Sequence, residues 1–227
     1  MTTYTMGYFK GGSGKSSTAC HLAVYLAQKG RKVWLIDTDE KLRSSITWAT
    51  IRTETNIEPL IACDLYENAK LLRGQYQLKA QHYDDVIFDC GGGDSGVLRT
   101  ALFLSDVLIV PFQPRGFDTW PLSGFNDLVE EVQSQHDGLS VHCFLSMADP
   151  GYEGSDNRES AEALQHYSAL PWSNVIVVRR KQIAKAVESG MTVFEQKPQD
   201  FKAVKEFNKL FSLVVKEEPS VEAAASA

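Results

Sequence analysis

The chain lacks the marks of several protein classes, and each lack narrows what it can be. No run approaches the ~18 consecutive apolar residues of a membrane-spanning helix, and no basic segment followed by an apolar stretch opens it, so a cytoplasmic protein is expected. Only four cysteines occur, Cys20, Cys63, Cys90 and Cys143, far apart and without CxxC spacing. That argues against structural zinc and against a disulfide framework, and leaves reduced core thiols. The five histidines show no metal-ligand spacing, no serine or cysteine nucleophile has a paired histidine, and there is no internal repeat. Positive charge is in deficit. With 23 Lys and Arg against 29 Asp and Glu, the net charge of -6 excludes a uniformly basic nucleic-acid binder but leaves room for a local basic patch.

What is present suits one buried core. A chain of 227 residues with 43% hydrophobic content fits a single domain, taken here as residues 1–215, and the Glu, Pro, Ser and Ala of 216–227 have too little to bury and predict a disordered tail. Apolar runs alternate with helical patterns, which predicts an α/β fold: a doubly wound, mostly parallel sheet flanked by helices. The strands are expected at Tyr4 to Phe9, Val33 to Ile36, Ile57 to Ala62, Val86 to Phe88, Val107 to Val110, Val141 to Leu145 and Val175 to Val178. Between them, Ala19, Leu22, Ala23, Leu26 and Ala27 recur at helical spacing before Gly30, and Asp64 to Glu67 reads as a capping box opening a helix toward Lys79. Further helices are read at Thr119 to Gln135, with Leu122, Phe125, Leu128, Val129 and Val132 on one face, near Ser160 to Tyr167, at Ile183 to Glu188 and at Phe201 to Val215. The four tryptophans do not cluster and read as packing residues.

The stretch Lys10-Gly11-Gly12-Ser13-Gly14-Lys15-Ser16-Ser17, set between a strand and a helix, reads as a phosphate cradle. Its glycines let backbone amides approach an anion, and the following helix adds the positive end of its dipole. Lys15 would reach the outer phosphates and the Ser16 hydroxyl would ligate a bridging magnesium ion. Lys10 stands where the plain phosphate-loop pattern has its first glycine. A lysine fixed there cannot easily reach its own phosphates, but it could cross a symmetric interface to those of a second copy. Asp89 ends an apolar strand, where a carboxylate can hold a water of the magnesium shell or the Ser16 hydroxyl. Cys90-Gly91-Gly92-Gly93-Asp94 after it is a flexible turn.

The Lys-Gly-Gly-x-Gly-Lys-Ser motif resembles the signature of the deviant Walker A ATPases, the ParA and MinD group, and is similar above all to short ParA-type partition proteins. Weaker matches run through Ser105 to Pro111 with Gln113 and Pro114, Arg179 to Gln182, and Gly190 to Phe194, so the resemblance spans roughly the first 215 residues. It implies Mg2+-dependent hydrolysis of ATP, with Gly11 to Ser17 binding the nucleotide, Lys10 and Lys15 catalytic, and Ser16, Asp37 and Asp89 serving the metal. Asp37 and Asp39 resemble the switch motif in which the second carboxylate, Asp39, positions the attacking water. The family continues that motif with proline and glutamine where this chain has Glu40 and Lys41. The glycines after Asp89 resemble a second switch loop, or simply make a tight turn. Nucleobase contacts are expected near Pro114 and Met147.

The resemblance also implies an ATP-bound homodimer, non-specific DNA binding through Arg179, Arg180, Lys181 and Lys185, a centromere-binding partner protein that stimulates hydrolysis, association with the nucleoid, and no membrane. Read alone, those four cations equally suit a solvated helix start. Related possibilities are the ParA-like proteins of conjugation and T-DNA transfer, with which Glu40 is compatible, and a cargo-positioning ATPase. The MinD-type membrane switch and the nitrogenase iron protein type fit less well: the acidic Glu217 and Glu218 follow the last helix, and Cys90 has no convincing second cysteine.

Overall fold

The computed structural model describes residues 1–114, 119–150 and 155–216. Seven strands, β1 (Thr2–Met6), β2 (Val33–Asp37), β3 (Ala62–Leu65), β4 (Asp85–Asp89), β5 (Val107–Phe112), β6 (Ser140–Ala148) and β7 (Trp172–Val178), form one sheet in the order β3-β2-β4-β1-β5-β6-β7. Every neighbouring pair is parallel. Parallel strands need crossovers, and the helices that supply them cover both faces.

On one face lie α1 (Lys15–Ala27), α2 (Ser44–Glu54), α7 (Lys181–Glu188) and α8 (Phe201–Val214); on the other lie α3 (Ala69–Lys79), α4 (Gly96–Phe103), α5 (Thr119–Gln135) and α6 (Ser155–Leu164). Side chains of period two divide each strand between the two cores. Tyr4 and Met6 of β1, Leu35 of β2 and Ile109 of β5 join the α1 side, while Trp34, Ile36, Phe88, Leu108 and Val110 join the α4 and α5 side. All five apolar positions predicted for α5 are buried. Trp34 and Trp48 are fully packed and Trp172 is half-buried.

Register is what assembles the site. Asp89 lies opposite both Met6 of β1 and Asp37 of β2, so the residues that leave these three strands start from one level of the sheet's carboxyl edge. Ligands of doubly wound sheets bind outside that edge.

Several predicted boundaries move. The third strand is Ala62–Leu65 rather than Ile57 to Ala62, because Trp34 to Asp37 pair with those four residues. Asp64 therefore sits inside the strand, accepting from Trp34 Nε1 at 3.0 Å, and the side chain of Asn68 caps α3 through the amides of Lys70 and Leu71. β6 and β7 are longer than their apolar stretches, and α6 starts at Ser155 rather than near Ser160. The sequence reading does not include α2 or α4, since neither carries a strong apolar stripe flanked by obvious caps. The predicted disordered tail falls, from Glu217 onward, outside the described residues.

Candidate functional site

The loop from Gly7 to Gly14 joins β1 to α1 at the carboxyl edge. Gly14 caps α1 in the left-handed region at φ 98°, and its cap carries no side-chain hydrogen bond. A Cβ on Gly14 would also come within 2.6 Å of Ser146 Oγ, so only glycine fits. The result is a helix start with amide donors left open, no acidic residue in its first turn and a buried cation beside it. Lys15 is 6% exposed, and its Nζ donates to the Lys10 carbonyl at 2.9 Å. Burial pushes its pKa down, while Asp89, Cys90 and Asp39 oppose that shift.

Two buried carboxylates lie side by side at this edge, and Asp89 is the one that acts on the Lys15 charge. Asp37 Oδ1 accepts from the Asp39 amide at 2.9 Å, and Oδ2 accepts from the amides of Ser45 and Ile46 at 2.9 and 3.1 Å, so the first turn of α2 is seated on Asp37. Asp89 Oδ2 accepts from Ser45 Oγ at 2.7 Å, whereas its Oδ1 is buried with no partner among the described residues. Burial and the neighbouring Asp37 push Asp89 up to about 7, against the hydroxyls of Ser16 and Ser45 and the charge of Lys15. Burial likewise raises Asp37. A buried carboxylate oxygen without a partner, next to a serine hydroxyl and another carboxylate, is what a hydrated divalent cation would satisfy, so Ser16, Asp37 and Asp89 fit magnesium.

Asp39 is half-buried, and its Oδ1 accepts from the amides of Lys41 and Leu42, both at 3.0 Å. This local turn is compatible with Glu40 and Lys41, so the changed residues leave the carboxylate in place. Across from it runs the glycine loop. Gly93 N donates to the Phe9 carbonyl at 2.7 Å, and a Cβ on Gly92 would lie 3.1 Å from Gly11 N. A Cβ on Gly91 would approach Asp39 Oδ2 to 3.4 Å. The loop after β4 is therefore wedged between the phosphate loop and the Asp39 turn, which is more than a tight turn requires.

Beside the phosphate loop opens a cavity of about 520 Å³, lined by Gly14, Ser17, Thr18, Met147, Val178 and Ile183 among others. Of the two residues near which base contacts were expected, Met147 lines this cavity, while Pro114 is buried and is not among the described residues that line it.

The four expected nucleic-acid contacts separate. Arg179, Lys181 and Lys185 are exposed. Arg180 is half-buried, donates to both Glu206 carboxylate oxygens at 2.5 and 2.6 Å, and lies 3.4 Å from Asp200. Its charge is matched internally, so it is corrected from a contact to a brace between the start of α7 and α8. A cleft of about 470 Å³ places Lys181 and Lys185 together with Lys197, a cation sequence reading passed over. The apolar face of α8, with Ala203, Phe207, Leu210, Phe211 and Val214, is buried in the core.

Two further residues were missed. Ser45 bonds both Asp37 and Asp89, partners 8 and 44 positions away that no local pattern marks. Gln113, noted only as part of a strand-end match, reaches the phosphate loop.

Comparison with known proteins agrees with this geometry. Residues 4–193 match the model of the CobQ/CobB/MinD/ParA nucleotide binding domain. The maintenance of carboxysome distribution protein A of Halothiobacillus neapolitanus is 22% identical over 94% of this chain and 96% of its own length. The protein virC1 of Rhizobium rhizogenes is 27% identical over 84% and 82%, and the chromosome-partitioning ATPase Soj of Thermus thermophilus 26% over 83% and 86%. Among solved structures, an ATP complex of Cyanothece McdA superimposes with a TM-score of 0.70 at 15% identity, over 97% of this chain and 99% of that one, and so shares the fold. The chain belongs to the CobQ/CobB/MinD/ParA nucleotide-binding family and is a P-loop ATPase of the ParA/MinD type.

Proposed function

We propose that this protein is a ParA-type switch: it binds ATP with Mg2+, closes into a homodimer, holds DNA without sequence preference in that state, and hydrolyses ATP to partition a plasmid or chromosome. The observation that carries the reading is the convergence, at one sheet edge, of Lys15, the Ser16 hydroxyl, the Asp37 and Asp89 carboxylates and Asp39 around a glycine cradle, with a second lysine at its mouth.

Each residue has a task that follows from its setting. The amides from Gly12 to Ser17 bind the phosphates, and Lys15, released from the Lys10 carbonyl, neutralises them at a cost already reduced by its prior burial. Ser16 with Asp37 and Asp89 holds the magnesium shell, and the ion supplies charge neutralisation of the transferred phosphoryl group. Asp39, fixed through Oδ1 by two amides, keeps Oδ2 to orient the attacking water. Lys10 acts across the dimer on the partner's phosphates, in the manner of an arginine finger. Arg179, Lys181, Lys185 and Lys197 contact DNA phosphates, and a centromere-binding partner accelerates hydrolysis. The name of the Halothiobacillus relative, matched over nearly the whole chain, favours as a second reading that the cargo moved is a protein assembly.

The test measures mass by light scattering, and retention of duplex DNA and of liposomes, with ATP, ADP or no nucleotide at several salt concentrations. ATP-dependent dimers and DNA retention that falls steeply with salt support the reading. Lys10→Ala should still bind ATP yet stay monomeric. An ATP-saturated protein of unchanged mass would overturn it, and liposome retention alone would replace it with a membrane switch. Loss of DNA retention in Arg179→Ala/Lys181→Ala/Lys185→Ala locates the contact; unchanged retention removes those residues from it.

A further inference from the structure

Gln113 follows directly on the last residue of β5, and its side-chain amide reaches two other segments of the site. Nε2 donates to the Gly12 carbonyl oxygen at 2.6 Å and lies 3.0 Å from Met147 Sδ. Gly12 holds a left-handed φ of 70°, a conformation open to rotation of the peptide that follows it. In a planar trans peptide the carbonyl of one residue and the N–H of the next point in opposite directions. Fixing the Gly12 carbonyl on the Gln113 side therefore turns the Ser13 N–H away from Gln113. Were that peptide to flip, a carbonyl dipole would replace an amide donor in a loop whose use depends on donors facing an anion. Ser13 itself is 1% exposed, and its buried hydroxyl has no partner among the described residues.

From the same Nε2 the contact with Met147 leads to the other half of the site. Met147 has a φ of 53°, lines the cavity beside Gly14, and its Cε would lie 3.5 Å from a Cβ on Gly14. Gln113 thus touches both the phosphate loop and the lip of the adjoining cavity. On the opposite side, the glycine loop after β4 supports Phe9 and Gly11. The cradle is held from two directions, and of these two supports Gln113 is the one that acts through a side chain a point substitution can remove.

We propose that Gln113 is a positioning residue for phosphate recognition: it acts through the Gly12 carbonyl to aim the Ser13 amide at the bound polyphosphate, and it ties that aim to Met147 at the cavity lip. This rests on the nucleotide reading given above. Gln113→Met keeps length and volume and removes the donor; Gln113→Glu keeps the shape and places an acceptor against the carbonyl.

The experiment measures dissociation constants for ADP and for adenosine, the melting temperature without ligand, and the ¹⁵N–¹H shift of the Ser13 amide on adding ADP. The expected result is an ADP affinity about tenfold weaker in Gln113→Met, the worth of roughly one hydrogen bond, and weaker again in Gln113→Glu. Adenosine affinity and melting temperature should stay at wild-type values, and the Ser13 shift change should be lost. Wild-type ADP affinity in Gln113→Met would overturn the proposal. So would equal losses for adenosine and ADP with a lowered melting temperature, which would make the side chain merely structural. If the unaltered protein bound no ADP, the nucleotide reading would fall first, and this one with it.

Discussion

Two buried cations on the α1 face of the sheet are treated in opposite ways. Arg52 of α2 is fully enclosed: its Nε donates to the Pro59 carbonyl at 2.7 Å, and its terminal nitrogens donate to the Gly190 carbonyl at 2.9 Å and to both oxygens of Glu195 at 3.1 and 2.5 Å. Trp48 adds a bond from Nε1 to the Met191 carbonyl at 3.0 Å, and the Thr192 amide and hydroxyl complete Glu195. Lys15 is nearly as buried, yet among the described residues it has a single bond, to its own loop, and faces a carboxylate oxygen that none of them satisfies. A buried charge whose partners are all supplied by the fold is a fastening. One left short of partners, where unpaired buried groups are so rare, is waiting for a ligand.

The sharpest way to test that contrast is to cut the fastening. Glu195→Ala strands the Arg52 guanidinium in the core and should cost about 3–5 kcal/mol of unfolding free energy, read as a lower denaturant midpoint at unchanged slope. ADP affinity of the folded fraction should hardly change. If stability is untouched, the two cations do not differ as argued.

Cutting the open site should do the reverse. Lys15→Ala removes a desolvated cation that burial disfavours, so stability should be equal or slightly higher, while nucleotide affinity falls by about 100-fold or more, roughly 2.7 kcal/mol. Calorimetric titration with ADP and Mg2+, paired with a melting curve, checks both halves. Retained affinity would place the phosphates elsewhere.

The last test concerns a third buried group, on the helix that carries Lys15, and its effect shows only as pH falls. His21 Nδ1 donates to the Ser17 carbonyl at 2.7 Å, its Nε2 accepts from the Val193 amide at 3.2 Å, and its ring stacks on Phe207 at 4.2 Å, which fixes one neutral tautomer. Burial lowers its pKa to about 4, below the 6.5 of a free histidine. The stability this gives is complete above pH 6.5. It is lost as pH falls toward 4, because the unfolded chain takes up the proton first, at about 1.4 kcal/mol per pH unit. Chemical denaturation of wild type and His21→Gln between pH 7 and 4 should show a shallower acid slope in the variant, and equal slopes would refute the assignment.

Much of this was legible in the chain. The phosphate loop was readable because its chemistry demands a local pattern of glycines, lysine and serine that few other structures need. Asp89 could be read from an apolar strand stopping at a carboxylate, and Asp37 from its resemblance to the switch motif. Ser45 and Gln113 could not, since each matters only through residues 8 to 101 positions away that the sheet register brings beside it. Arg180 misled for the same reason: composition shows a cation next to other cations, and only the packing of α8 supplies the Glu206 and Asp200 that neutralise it.

The sequence by itself determined the fold class, the cradle and the identity of the charged groups, because period, turn chemistry and residue type act over a few neighbours. Tertiary structure decided which of those charges are neutralised inside the protein and which are left to act. That choice depends on burial and partner count, and both are set by elements that meet only when the sheet and its helices assemble.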